Sequence, residues 1–132
     1  MKKFFAIASV IVVFGFEISC TKHKGDFEEN IPVASIKVLS PSPGTIINTN
    51  DIVNIKAQAI SSATIHGYDV TITSPGDTTA YFRKHVHDHN DTLNISETWQ
   101  NMLVAKNLVL SISLTLDHEG HTFSRKIEFR AN

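Results

Sequence analysis

The chain's 132 residues leave room for one ordinary domain, and 12 lysines and arginines against 13 aspartates and glutamates give a formal net charge of -1. No basic stripe breaks that balance, which argues against nucleic acid as a partner. A single cysteine, Cys20, rules out a disulfide framework within the chain.

The start, Met1-Lys2-Lys3, is positively charged, and residues 4–16 are an unbroken run of apolar or small side chains. That run is too short to span a bilayer as a helix and reads as a signal peptide covering 1–19. It ends in Glu17-Ile18-Ser19-Cys20, which resembles the lipobox of bacterial lipoproteins, although Glu17 stands where that pattern usually has an aliphatic residue. The resemblance implies that Cys20 is a lipid-attachment site. The protein would then be exported and anchored to the bacterial cell envelope, at the outer membrane or cell surface, with the membrane as a partner. A multiply acylated terminus holds durably where a single acyl chain binds only marginally. A free thiol or an intermolecular disulfide are the other readings of Cys20. Residues 20–32 are charged and patternless, as suits a flexible tether, and His23 within them has no assigned role.

From residue 33 to the end the hydrophobic period is two. Val53, Ile55, Ala57 and Ala59 alternate with polar residues, and Leu108, Leu110, Ile112, Leu114 and Leu116 alternate with Val109, Ser111, Ser113 and Thr115 further on. Candidate strands fall at 33–40, 51–60, 67–74, 78–85, 92–99, 107–116 and 121–130, separated by turn signals such as Pro41-Ser42-Pro43-Gly44, Pro75-Gly76-Asp77 and Glu119-Gly120. This predicts an all-β domain over 33–132, a seven-stranded antiparallel sandwich of Ig-like or fibronectin-III-like type. Trp99, Phe82, Phe123, Ile127 and Phe129 fall on inward parity with the two alternating runs, while Arg125 breaks the pattern. The opening Ile36-Lys37-Val38-Leu39-Ser40-Pro41 with Gly44-Thr45-Ile46 resembles the first strand and turn of bacterial Ig-like modules. The H-x-H segment and the turn Asp117-His118-Glu119-Gly120 resemble small Bacteroidota lipoprotein domains of unknown function. Asp77-Thr78-Thr79 and Asp91-Thr92-Leu93 resemble a short O-glycosylation pattern of cell-envelope proteins from the same group.

Chemistry is concentrated in His85-Val86-His87-Asp88-His89-Asn90-Asp91, with histidines at every second position. In an extended segment they share one side, roughly 6.6 Å apart per step. Successive strands of a sandwich run up and down, so alternate connections lie at one end of the molecule. His66, His85, His87, His89, His118 and His121 all fall in or beside the connections after the second, fourth and sixth strands, which predicts a metal-binding pole. Imidazole and carboxylate without thiol suit zinc, copper(II) or nickel and not copper(I) or iron–sulfur chemistry. The competing readings for the histidines are a solvated polar loop and turn geometry alone.

No nucleophile–base pair and no phosphate-cradling loop is present, which disfavours an enzyme. A metal hydrolase stays open, with Glu119 or Asp88 as its general base. Two functions compete: a non-catalytic metal-binding domain, and a module that recognises an envelope protein or a glycan through loops or an edge strand.

Overall fold

The computed structural model describes residues 31–132. The expected signal peptide over 1–19, Cys20, and the expected tether as far as residue 30 lie outside the described residues. Eight strands form: β1 (Ala34–Ser40), β2 (Ile46–Ile47), β3 (Ile52–Ile65), β4 (Gly67–Thr73), β5 (Phe82–Val86), β6 (Asn90–Gln100), β7 (Lys106–Thr115) and β8 (Thr122–Ala131). They make two sheets, ordered β1-β3-β6 and β2-β8-β7-β4-β5. Neighbouring strands are antiparallel except β2, which runs parallel to β8.

The all-β sandwich follows from the period-two pattern, because alternation lets each sheet turn one face inward. Val53, Ile55, Ala57 and Ala59 on β3 face Leu108, Leu110, Ile112 and Leu114 on β7, and all eight are buried. Burying a side chain the size of leucine contributes about 2 kcal/mol. The four on β7 alone therefore exceed the roughly 2–4 kcal/mol of a typical disulfide, and the domain holds together without one. Trp99 and Phe82 pack half-buried against the rim of this core.

Several expectations are corrected. Among the described residues the sandwich has eight strands rather than seven, because Ile46–Ile47 pairs with Arg130 and Ala131 over a length too short to leave a periodic signal. β3 does not stop at residue 60 but continues to Ile65. Ser61 pairs with Ala34, and the Ser62 N–H donates to Val33 O (2.8 Å), so tertiary partners satisfy a stretch whose Ser61-Ser62 pair reads locally as a turn. β5 begins at Phe82 rather than residue 78. Phe123, expected in the core, is 37% exposed, and Arg125 is exposed beside it. β2 pairs with β8 only at Arg130 and Ala131, so the first half of β8 has a strand neighbour on one side alone and is exposed from Thr122 to Lys126.

This topology fixes two poles. At one, Asn101 is completely buried, and its amide donates to Asn48 O (2.9 Å) and Leu103 O (3.1 Å) while its Oδ1 accepts from Leu103 N–H (2.9 Å). Lys106 reinforces the same pole by donating to Tyr81 Oη (2.6 Å) and Asp77 Oδ2 (3.0 Å). The connections β3–β4, β5–β6 and β7–β8 lie at the other pole. β1 also begins there, with Ala34 opposite Ser61 near the end of β3, so the preceding chain enters the domain on the histidine side.

Candidate metal centre

Four of the six predicted histidines come together. His66 is the single residue between β3 and β4, and its ring meets His118 of the β7–β8 turn with centroids 4.1 Å apart and His89 of the β5–β6 connection at 5.2 Å. His89 in turn meets His87 edge-on at 4.6 Å, with the two Nε2 atoms 2.9 Å apart. Two nitrogens on one tetrahedral zinc stand about 3.3 Å apart, so this pair is within a few tenths of an ångström of a shared-ion geometry.

Three local features build the cluster. Ile65 is fully buried and closes β3, which forces the next residue to turn the corner at the rim of the core. Gly67 then takes φ 146°, and a Cβ there would stand 2.6 Å from Val86 O and 3.4 Å from His87 Cα. The absent side chain lets the end of β5 lie against this corner and brings His87 near His66. On the third connection, Asp117 organises the turn: its Oδ1 accepts from the N–H groups of Glu119 and His121, both at 3.0 Å, and its Oδ2 contacts His121 Nδ1 at 2.5 Å. His118 is thereby carried over His66.

Electrostatics favour neutral imidazole at the hub. Burial pushes the His66 pKa below 6.5, and the neighbouring rings of His118, His89 and His87 push the same way, with the Asp117 carboxylate opposing them. His66 Nδ1 is shut off from solvent and has no hydrogen-bond partner. A buried polar nitrogen left unpaired costs about 1–3 kcal/mol, and a cation is one group that would satisfy it. Asp117 itself is held below the usual carboxylate range: burial raises it, but the His121 N–H, the His121 ring and the Glu119 N–H together outweigh that.

The remaining two predicted histidines sit elsewhere. His85 lies on the outer face of the five-stranded sheet, where its Nδ1 meets Asp69 Oδ1 at 3.0 Å across the β4–β5 rung. The expected i, i+2, i+4 alignment fails because the extended conformation ends at Val86, which separates His85 from His87 and His89. His121 was expected to pair with His118; its Nδ1 meets Asp117 Oδ2, and it stands with Asp117 and Glu119 in one group of potential ligands. Among the described residues, the group of three whose ligand atoms all lie within 4.8 Å of one another is Asp117, Glu119 and His121, with the Asp117 oxygens also serving the turn's own donors; the four histidines are joined instead by ring contacts. From the sequence, turn geometry alone stands as the alternative for Asp117 against a metal-binding hairpin. Its side-chain role was signalled by its place before a four-residue turn, where a carboxylate can cap successive N–H groups.

No family model matches the chain, and no curated protein matches it. Among solved structures, it is similar to the fibronectin(III)-like modules of Clostridium thermocellum CbhA, at 14% identity over 74% of this chain and 94% of that one, with a TM-score of 0.48.

Proposed function

We propose that this domain is a non-catalytic binder of a divalent transition metal, held by His66, His87, His89 and His118. The observation that carries the reading is a run of ring contacts, His118–His66–His89–His87, that joins three separate connections and contains the buried, unpartnered His66 Nδ1. An all-imidazole set favours zinc, copper(II) or nickel. His85 and His121, engaged by Asp69 and Asp117, are left out of the ligand set. Of the two carboxylates that were candidates for a hydrolase base, Asp88 is engaged, its Oδ1 accepting from His89 N–H (2.7 Å) and from the Asn90 side chain, and Glu119 lies beside Asp117 and His121.

The site belongs to a lipid-anchored envelope protein in this reading, with Cys20 as the attachment point. Elemental analysis of the untagged protein, purified without chelator, tests the metal. At least one equivalent of zinc, copper or nickel supports it, and a protein that neither copurifies with nor takes up any of the three removes it. Cys20→Ala tests the anchor separately, since a variant that still fractionates with membranes would refute lipidation at that residue.

A further inference from the structure

The four sheet edges are treated unequally. β2 is two residues long, β5 is five residues long with Arg83 and Lys84 at its centre, and β1 has Lys37 and a register break between Val38 and Ser40. Shortness, charged side chains, prolines and bulges are the devices by which edges avoid pairing with other chains. β6 is the least protected of the four: it is not short, its two charges are Asp91 and Glu97, the latter accepting from Tyr68 Oη, and its one ladder irregularity with β3 is confined to its start, between Asn90 and Thr92. It is 11 residues long, it contains no proline, glycine, lysine or arginine, and it stays in unbroken register with β3 from Ile52↔Gln100 to Ile60↔Thr92. Its other side is an open edge of the three-stranded sheet among the described residues. A strand of that length presents a row of backbone donors and acceptors, and a partner strand has to keep only Asp91 and Glu97 away from like charge.

We infer that β6 pairs antiparallel with β6 of a second copy of this chain, about a two-fold axis at Ile95. Sidedness requires a buried-parity residue to meet a buried-parity residue, since a one-residue slip would turn Leu93 and Ile95 outward. Among the registers that remain, only the one centred on Ile95 pairs all 11 residues. Centring on Asn94 sets Asp91 against Glu97 of the other copy, and centring on Glu97 sets two glutamates face to face, both unfavourable. About Ile95, the outer face instead pairs Thr92 with Thr98 and Asn94 with Ser96, uncharged side chains able to hydrogen-bond across strands. The result is a continuous six-stranded sheet with isologous contacts.

Sedimentation of the full chain in detergent, with chelator present so that no metal bridges copies, tests this pairing. The wild type is expected to double its protein mass as concentration rises. Asn94→Lys combined with Ser96→Lys puts like charges opposite one another in this register and should abolish the dimer with little change in melting temperature. The same two positions changed to Asp should also give a monomer, and mixing the Lys and Asp chains should restore a mixed dimer. Gln58→Lys, on the central strand of the same face, should leave dimerisation intact. A wild type that stays monomeric at its highest concentration, a dimer unmoved by the Lys changes, or a mixture that fails to associate would each overturn the pairing. These outcomes leave the metal reading untouched.

Discussion

The rings of His66 and His118 stand 4.1 Å apart at a tilt of 52°, although one follows β3 and the other sits in the turn after β7. A contact made only by tertiary folding predicts interdependence. If both are ligands, His66→Gln and His118→Gln should each remove most of the thermal stabilisation that zinc or copper(II) confers. In the wild type that stabilisation amounts to about 2.7 kcal/mol at a hundredfold excess of metal over its Kd. His85→Gln, which removes a solvent-screened contact with Asp69, should keep it. Thermal melts with and without metal decide the matter, and equal losses in all three variants would dissolve the four-histidine set.

Asp117 touches none of the proposed ligands through its carboxylate, yet it holds the turn that carries His118. Outer partners that orient a ligand typically contribute 10- to 100-fold in metal affinity. Asp117→Ala should therefore weaken binding by about that factor with every imidazole still present. Titration calorimetry reads the affinity directly. Unchanged binding in a folded Asp117→Ala protein would reduce Asp117 to a surface turn residue.

Gly67 offers a test of the corner itself. A methyl group there would meet the Val86 carbonyl at 2.6 Å in a backbone conformation that side chains disfavour, so Gly67→Ala should destabilise the fold by about 1–3 kcal/mol. The strain falls on the segment leading to His87, and metal affinity should drop along with stability. By contrast, Gly120→Ala meets no atom within 4 Å, though its φ of 95° still carries a local penalty, and it should leave the His66–His87–His89 arrangement in place. Chemical denaturation of both variants separates the two effects, and a Gly67→Ala protein as stable as the wild type contradicts the close approach.

Most of this fold was legible because alternation is a local signal. Leu108, Leu110, Ile112 and Leu114 announced β7, and all four are buried where parity puts them. The convergence of His66, His89 and His118 was legible in coarser form, since connection parity alone places their loops at one end. What was not legible depended on non-local partners. Ser61 and Ser62 extend β3 only because β1 pairs with them, and Phe123 is exposed on the half of β8 that β2 does not reach. Likewise, His85 and His87 part company where β5 loses its ladder after Val86, a boundary that nothing in the H-x-H spacing marks.

Acid should act on the pole through His66. Its folded pKa lies below 6.5, because burial and the neighbouring imidazoles disfavour charge, whereas the unfolded chain titrates near the ordinary value of about 6.5. Below that value the unfolded state binds more protons than the folded one, so the contribution of His66 to stability is present above pH about 6.5 and declines as pH falls, levelling off below the folded pKa. The decline should appear in the metal-stripped protein and be shallower in His66→Gln. A bound metal adds a second dependence in the same direction, since imidazole must be neutral to coordinate. The difference in Tm between metal-loaded and metal-stripped wild type should therefore shrink as pH drops from about 7 to about 5. Melting curves across that range, run on wild type and His66→Gln in parallel, separate the two contributions. A metal-free wild type whose pH profile coincides with that of His66→Gln would show that His66 is not the titrating hub of this pole.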